Sequence, residues 1–364
     1  MSRTLSRPEL IAWARLARTP RVGPLTFHRF IARFRNASGA LEALPLVSPS
    51  TPPAADDVER EIEGVEALGA RLVASCEPDY PPLLAELDAP PPLIGLRGDL
   101  KILHRPTVAI VGSREGSAAA LVFAEQLARD LGAAGFAVVS GLARGVDAAA
   151  HRGSLETGTA AVLAGGLDHP YPPQNLKLHE AICARGLVVS EAPLGTVARA
   201  RDFPRRNAII SGVSRAVVII EAALRSGSLI TARAAADQGR DVMAAPGSPL
   251  DPRARGSNAL IKQGATLIEN AEDVIAALGQ TLQPPRPLSS GPLFDDIDTV
   301  PPSPGLPRKL AALLSPTPIH VNDLARLVDA PAGAVAAALT ELELEGQAAS
   351  LPGGYAASSG SAFR

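Results

Sequence analysis

Aromatic residues are scarce: eight Phe, three Tyr and one Trp make up 3% of 364 residues. That leaves little material for the stacked aromatic platforms of many single-strand binders, so a nucleic-acid site here must rest on other groups. Nor is there an excess of positive charge, since 35 Lys and Arg against 37 Asp and Glu leave −2. A histone-like polybasic binder is excluded, whereas a local basic groove is not. The two cysteines, Cys76 and Cys183, lack the spacing of a metal site or a disulfide framework. No signal-peptide pattern opens the chain, and no apolar run approaches the ~20 residues of a membrane span. A cytoplasmic protein without a membrane partner is expected.

The sequence contains 46% apolar residues, enough for a core, and its length fits two or three domains. Charge is uneven: Met1 to Arg35 holds eight Arg and one Glu, Asn36 to Ala70 one Arg and seven acids. Apolar residues at helical spacing (Leu10, Trp13, Leu16, Ala17) precede a break at Pro20-Arg21-Val22-Gly23-Pro24, and Phe27, Phe30, Ile31 and Phe34 mark a second helix. Such a helix–turn–helix with flanking Arg can grip a DNA backbone through its turn amides, but it is more often a small packing module.

From Thr107 to Ala277, seven short apolar runs alternate with helix-sized segments: 108–111, 136–139, 160–163, 187–189, 216–220, 242–244 and 265–268. Continuous apolar runs predict parallel strands buried on both faces, hence a doubly wound α/β sheet. Gln280 to Pro307 holds eight prolines and reads as a linker. The tail reads helix, helix, helix and a strand pair turning at Gly353-Gly354, the order of a winged helix. Its third helix carries Glu341, Glu343 and Glu345 and no Lys or Arg, the wrong sign for a phosphate backbone, which favours a protein-contact or packing role. The expected domains are therefore 1–70, 71–280, a linker 281–307, and 308–364.

Ligands of doubly wound sheets sit at the carboxyl ends of the strands, and the segments there are rich in Gly, Ser and Arg. Gly112-Ser113-Arg114-Glu115-Gly116 and Ser140-Gly141-Leu142-Ala143-Arg144-Gly145 both lead into helix N-termini, where an anion is favoured, and Arg114 and Arg144 add bidentate donors. Lys177 is expected to face the groove from the start of a later helix. Arg199, Arg201, Arg205 and Arg206 with Asn207 form the guanidinium-dense segment that a phosphodiester track requires, and Arg225-Ser226-Gly227-Ser228 opens another helix. No Gly-x-Gly-x-x-Gly follows the first run and no P-loop occurs, so neither NAD nor ATP is indicated and no cofactor is expected. No nucleophile elbow is present. Asp147 and His151, four apart, are too few for a metal and read as capping and packing residues. Glu191 and Glu221 fit an acid and base, or anchors for neighbouring arginines.

These blocks resemble the bacterial DNA-processing protein A family, DprA or Smf. The resemblance rests on Tyr80-Pro81-Pro82-Leu83-Leu84, Pro91-Pro92-Leu93-Ile94, Val111-Gly112-Ser113-Arg114, Ser140 through His151, Ser190-Glu191, Phe203-Pro204-Arg205-Arg206-Asn207, Ser226 through Ala232 and Pro246-Gly247. It implies an extended Rossmann-like domain between a SAM or helix-hairpin-helix-like N-terminal domain and a winged-helix-like domain. It implies a non-enzymatic protein that binds single-stranded DNA without sequence preference, as a homodimer, protects incoming strands in natural transformation and loads RecA. Carried over by position, Gly112, Ser113, Arg114, Gly141, Arg144, Lys177, Arg205, Arg206 and Asn207 would contact DNA. Ala208 stands where the family usually has Arg, and Arg199 or Arg201 would compensate. The alternative is a nucleotide-processing enzyme resembling the lysine-decarboxylase-like phosphoribohydrolases, with Glu191 or Glu221 near the glycosidic bond. That family's Pro-Gly-Gly-x-Gly-Thr block is replaced here by Arg225-Ser226-Gly227-Ser228-Leu229.

Overall fold

The computed structural model describes residues 3–47, 50–282, 305–314, 319, 321–328, 330–345, 347–351 and 354–357. They divide into two compact units, up to Leu282 and from Gln283 onward.

In the first unit, α1 (Arg7–Ala17), α2 (Pro24–Phe34), α3 (Ala37–Val47) and α4 (Ala55–Ala67) precede β1 (Ala70–Ala74), α5 (Pro82–Ala85) and β2 (Leu93–Gly98). Then come β3 (Thr107–Gly112), α6 (Ala118–Ala133), β4 (Ala137–Ser140), α7 (Val146–Ser154), β5 (Thr159–Leu163), α8 (Leu176–Arg185) and β6 (Leu187–Ser190). The unit closes with α9 (Phe203–Gly212), β7 (Ala216–Ile220), α10 (Ser228–Asp237), β8 (Asp241–Ala244), α11 (Arg255–Lys262), β9 (Thr266–Leu267) and α12 (Ala271–Leu282). The local causes are conventional. Ser6 begins α1 with its N–H on the Glu9 carboxylate at 2.8 Å, Pro24 begins α2, and Ser117 caps α6 through Ala120 N–H at 3.1 Å.

The nine strands run β1-β2-β6-β5-β4-β3-β7-β8-β9. All seven runs expected as parallel strands are present and parallel to one another, from β3 to β9. The unbroken apolar character of β3 to β7 follows from burial on both faces, while β8 and β9 toward the sheet edge are partly exposed. Ala109, Val111, Val217 and Ile219 enter one core, while Val108, Ile110, Val218 and Ile220 enter another. Two further strands escaped the sequence reading: β1 and β2 pair antiparallel, and β2 pairs antiparallel with β6. Their pattern is broken by Arg71, Gly95, Arg97 and Gly98, as strands near a sheet edge allow. The N-terminal helices share one core with the sheet, Trp13, Leu16, Phe27, Ile62 and Val65 packing with Leu72, Leu93, Leu163 and Val188. The Trp13 indole N–H donates to the Pro92 carbonyl at 2.7 Å and fixes α1 on the entry to β2.

The second unit is a winged helix of α13 (Leu306–Leu313), α14 (Val321–Val328), α15 (Ala332–Leu344) and the hairpin β10 (Ala348–Leu351) with β11 (Gly354–Ala357). Leu310, Leu324, Val335, Leu339 and Leu342 form its core, and Glu341, Glu343 and Glu345 are exposed. The hairpin turn at Gly353 lies outside the described residues. So does the proline-rich stretch, apart from its ends in α12 and α13. Among the described residues no helix is long and apolar enough to cross a membrane.

Candidate nucleic-acid interface

Strand order reverses between β3, which leads outward through β4, and β7, which leads outward through β8. A doubly wound sheet splays its loops apart at such a point and opens a crevice. The crevice here is a cleft of about 610 Å³. Its floor is Gly112, where a Cβ would overlap the Ile220 carbonyl oxygen of the neighbouring strand. Gly112→Ala is therefore expected to destabilise the fold by about 2–3 kcal/mol, read as a shifted urea midpoint, because the obstructing atom is backbone and cannot rotate away.

The loops after β3 and β4 are tied together. Val146 N–H donates to the Ser113 carbonyl at 3.1 Å, and Gly145, with φ +75°, leaves no room for a Cβ against that same oxygen. This coupling puts Arg114 and Arg144 on one rim, both exposed. Arg114 lies over the Phe203 ring, 5.1 Å from guanidinium carbon to centroid, and Tyr171 meets that ring edge-on at 6.2 Å. Arg114, Ser113, Asn207 and Gly112 line the cleft, whereas Arg144 and Gly141 line a small hollow beside it with Tyr171. The opposite wall is Arg225, Ser226, Gly227 and Ser228, with the two serine hydroxyls 2.7 Å apart and Asn207 Nδ2 donating to the Gly227 carbonyl at 3.3 Å. Arg225 was not among the expected contact residues, although its place in a Ser/Gly loop directly after an apolar run was a usable signal.

Lys177 and Arg205 fall elsewhere, and Arg206 lines the cleft and the hollow only as a buried residue. Lys177 is exposed on the first turn of α8 and lines neither the cleft nor the hollow. Arg205 projects from the far side of α9, where it meets Glu191 at 2.5 Å, which makes Glu191 the anchor expected of it. Glu191 is nearly buried, and burial lifts its carboxyl above the usual range despite Arg205. Arg206 is not a surface donor: it is 6% exposed and hydrogen-bonds the Gly141 and Val162 carbonyls. Burial lowers its pKa to about 10, against the pull of Asp147. Ala208 lines neither the cleft nor the hollow, while Arg199 and Arg201 are exposed at the start of α9.

Two expectations about anions need correction. The start of α6 is not open, because the Ser117 N–H and hydroxyl donate to the Glu221 carboxylate, the former at 2.8 Å. Glu221 therefore anchors a helix rather than an arginine, and it already supplies the negative charge that the helix dipole favours. At α7 the Asp147 carboxylate accepts from Gly141 and Ala143 N–H at 3.2 and 3.4 Å. His151, fully buried, accepts from Leu142 N–H at 3.3 Å and bonds the Thr159 hydroxyl at 2.7 Å. Both residues cap and pack, as expected, and among the described residues no group of three metal-ligating side chains occurs. The exposed guanidinium groups at this rim are those of Arg114, Arg144 and Arg225, with the hydroxyls of the Ser226 loop beside them.

Arg206 sits beneath this rim, with its guanidinium carbon 5.4 Å from the Phe203 centroid. Arg206→Met is expected to cost about 3 kcal/mol, since Asp147 would remain buried without its counter-charge. Asp147 already has a raised pKa, chiefly from burial. The loss would therefore grow as pH rises, and urea titrations at several pH values check it.

Together, sheet, crevice and flanking modules define an extended Rossmann-like protein with a cationic rim at its switch point. A model of DNA recombination-mediator protein A matches residues 71–279, with a DprA-like N-terminal helix-hairpin-helix domain at 7–64 and a DprA winged helix domain at 298–354. Protein Smf of Escherichia coli is 38% identical over 82% of this chain and 80% of its own length. DNA processing protein DprA of Streptococcus pneumoniae is 43% identical over 54% and 70%. The solved structure of DNA processing protein A from S. pneumoniae superposes with TM-score 0.64 at 30% identity, covering 75% of this chain and 98% of that one. A Helicobacter pylori DNA processing protein A, solved for its single-stranded DNA binding mode, superposes with TM-score 0.54 at 30% identity over 58% and 96%. The chain belongs to the DNA recombination-mediator protein A family.

Proposed function

We propose that this chain binds single-stranded DNA without sequence preference in the β3/β7 cleft and acts as a recombination mediator rather than an enzyme. The observation that carries the reading is the exposed Arg114, held over Phe203 at the mouth of a cleft with Arg225 and Ser/Gly loops opposite. Guanidinium groups neutralise phosphates whatever base each carries, so such a rim tolerates all sequences. Family membership and the single-strand binding of the H. pylori relative support it. The two rim carboxylates with catalytic potential, Glu191 and Glu221, are both engaged by protein donors, which favours a mediator.

In this reading the protein acts in the cytoplasm during natural transformation, shields incoming strands and loads RecA onto them. The helical region 1–70, the sheet domain 71–280, the linker 281–307 and the winged helix 308–364 are its working parts. It works as a homodimer, for which the two-residue edge strand β9 with half-exposed Leu267 offers a surface. Ser113, Arg114, Gly112, Asn207, Arg144 and Gly141 are assigned to the strand, with Arg205 and Lys177 outside the cleft and Arg206 beneath it.

Fluorescence anisotropy of a labelled oligo-dT at several salt concentrations tests the core of this. Affinity should exceed that for the matching duplex and fall steeply between about 50 and 200 mM salt. Affinity that is flat over that range overturns the cleft assignment.

A further inference from the structure

On the far side of α9 lies a second groove, of about 650 Å³, between the sheet rim and the turn joining α1 to α2. Helix α9 is the wall between the two. Phe203, Asn207 and Ile210, spaced four and three residues apart, face the first cleft, and Arg205 and Ile209, four apart, face the second. The turn at 200–202 joins them over the top of that wall: Ala200 lines the first cleft and Asp202 the second, with Arg199 and Arg201 exposed between.

Arg18, Arg21, Arg205 and Arg206 line the second groove against Glu191 and Asp202. Both carboxylates are already used, Glu191 by Arg205 and Asp202 by the Arg199 N–H at 2.8 Å. Arg18 is held by Glu61 at 2.8 Å. Arg21 is different: it is exposed, has φ +66°, and has no carboxylate within 4 Å among the described residues. Beyond it, α2 carries Arg29 and Arg33, exposed and likewise without an acidic partner among the described residues. Other arginines of the N-terminal region are held, Arg3 by Glu9, Arg7 by Glu66 and Arg15 by the Pro53 carbonyl at 2.9 Å, while Arg35 stands exposed at the end of α2. Unpaired positive charge is thus found at Arg21, in the turn that lines the groove, and at Arg29 and Arg33 on α2, whose first residue, Pro24, borders the groove.

We propose that a DNA single strand leaving the β3/β7 cleft crosses the Arg199–Arg201 turn and continues through this second groove along α2, held by its phosphates at Arg21, Arg29 and Arg33. The proposal rests on the first cleft being a strand site and extends it to a longer track. The N-terminal helices thereby set how much strand one protomer covers, while the rim sets whether it binds at all.

Oligo-dT of graded length, from about 4 to about 24 nucleotides, separates the two sites. The test compares the full-length protein with Arg21→Asn/Arg29→Ala/Arg33→Ala, Asn being chosen because it accepts the left-handed backbone. The variant should bind the shortest oligomers like the wild type. It should bind the longest about tenfold more weakly, with a salt slope reduced by about 2, since each lost single-strand phosphate contact removes about 0.7. Arg29→Lys/Arg33→Lys should retain long-strand binding, which distinguishes lost charge from damaged folding. Unchanged long-strand affinity and salt slope overturn the proposal, as does an equal loss at every length. A loss confined to duplex of the same length overturns it in favour of a duplex grip. Wild-type protein that binds no length of single strand overturns the cleft reading and this extension together.

Discussion

Replacing Arg114 and Arg144 together by Ala is expected to lower affinity for a ~20-nucleotide oligo-dT about 100- to 1,000-fold. A hydrogen bond to a charged group is worth about 1.5–3 kcal/mol, and two of them lost, with partial re-use of neighbouring donors, come to about 3–4 kcal/mol. The slope of log affinity against log salt should fall by about 1.4, two phosphates' worth for a single strand. Arg114 is expected to dominate, because it lies in the cleft over Phe203, whereas Arg144 stands beside the adjoining hollow with Glu115 3.9 Å away. Both side chains are exposed and neither holds the core, so the thermal midpoint should stay where it is. Anisotropy titrations of the two single variants and the double variant read all of this. Affinity that survives the double replacement would transfer the site to the arginines of α1 and α2.

The second large effect is on stability in acid. His151 is fully buried, and burial first, then Arg206 and Arg152, lowers its pKa from 6.5 to about 3. Its hydrogen bonds agree: with Leu142 N–H donating to one ring nitrogen, the ring is neutral and gives its proton toward Thr159. The folded state therefore binds this proton more weakly than the unfolded chain does. The stability it contributes is complete above the unfolded value near 6.5 and is lost as pH falls toward 3. A gap of about 3.5 units corresponds to roughly 4–5 kcal/mol across that window. Asp147 acts in the opposite sense, since its raised pKa makes the folded state hold a proton more tightly than the unfolded one. Comparison with His151→Gln isolates the histidine. The variant should be less stable at pH 7, yet its urea midpoint should change far less between pH 7 and 4 than that of the wild type. A variant with the same pH dependence as the wild type would show that other groups govern acid unfolding.

Much of the molecule was legible before any coordinates. The parallel strands β3 to β7 announced themselves because both faces of each are buried, and a strand with no solvent face has no polar alternate residue. The Gly, Ser and Arg segments were placed at the strand ends by order alone, and Gly112-Ser113-Arg114 and Arg225-Ser226-Gly227-Ser228 do face each other across the cleft. Strands β1 and β2 were missed because Arg71, Gly95 and Arg97 interrupt their apolar runs. Neither the destination of Arg206 nor that of Glu221 could be read. A guanidinium beside Asn207 has the composition of a phosphate contact whether it points outward or lies under Phe203, and a glutamate after a strand has the same composition whether it meets an arginine or caps a helix.

By itself, then, the sequence determined the fold class, the order of its parts, the capping and packing role of Asp147 and His151, and the rim on which Gly, Ser and Arg concentrate. These follow from periodicity, from turn chemistry and from the types of residue next to one another in the chain. The tertiary structure alone decided which arginines are free. Arg205 and Arg206 are adjacent in sequence yet part company on α9, where successive residues are about 100° apart. One turns to Glu191 in a second groove and the other into the core beside Asp147. Arg114, 30 residues from Arg144, joins it on one rim because Val146 N–H reaches the Ser113 carbonyl. Charge is written in the chain residue by residue, but its availability to a phosphate depends on which carboxylate, carbonyl or ring the fold brings against it.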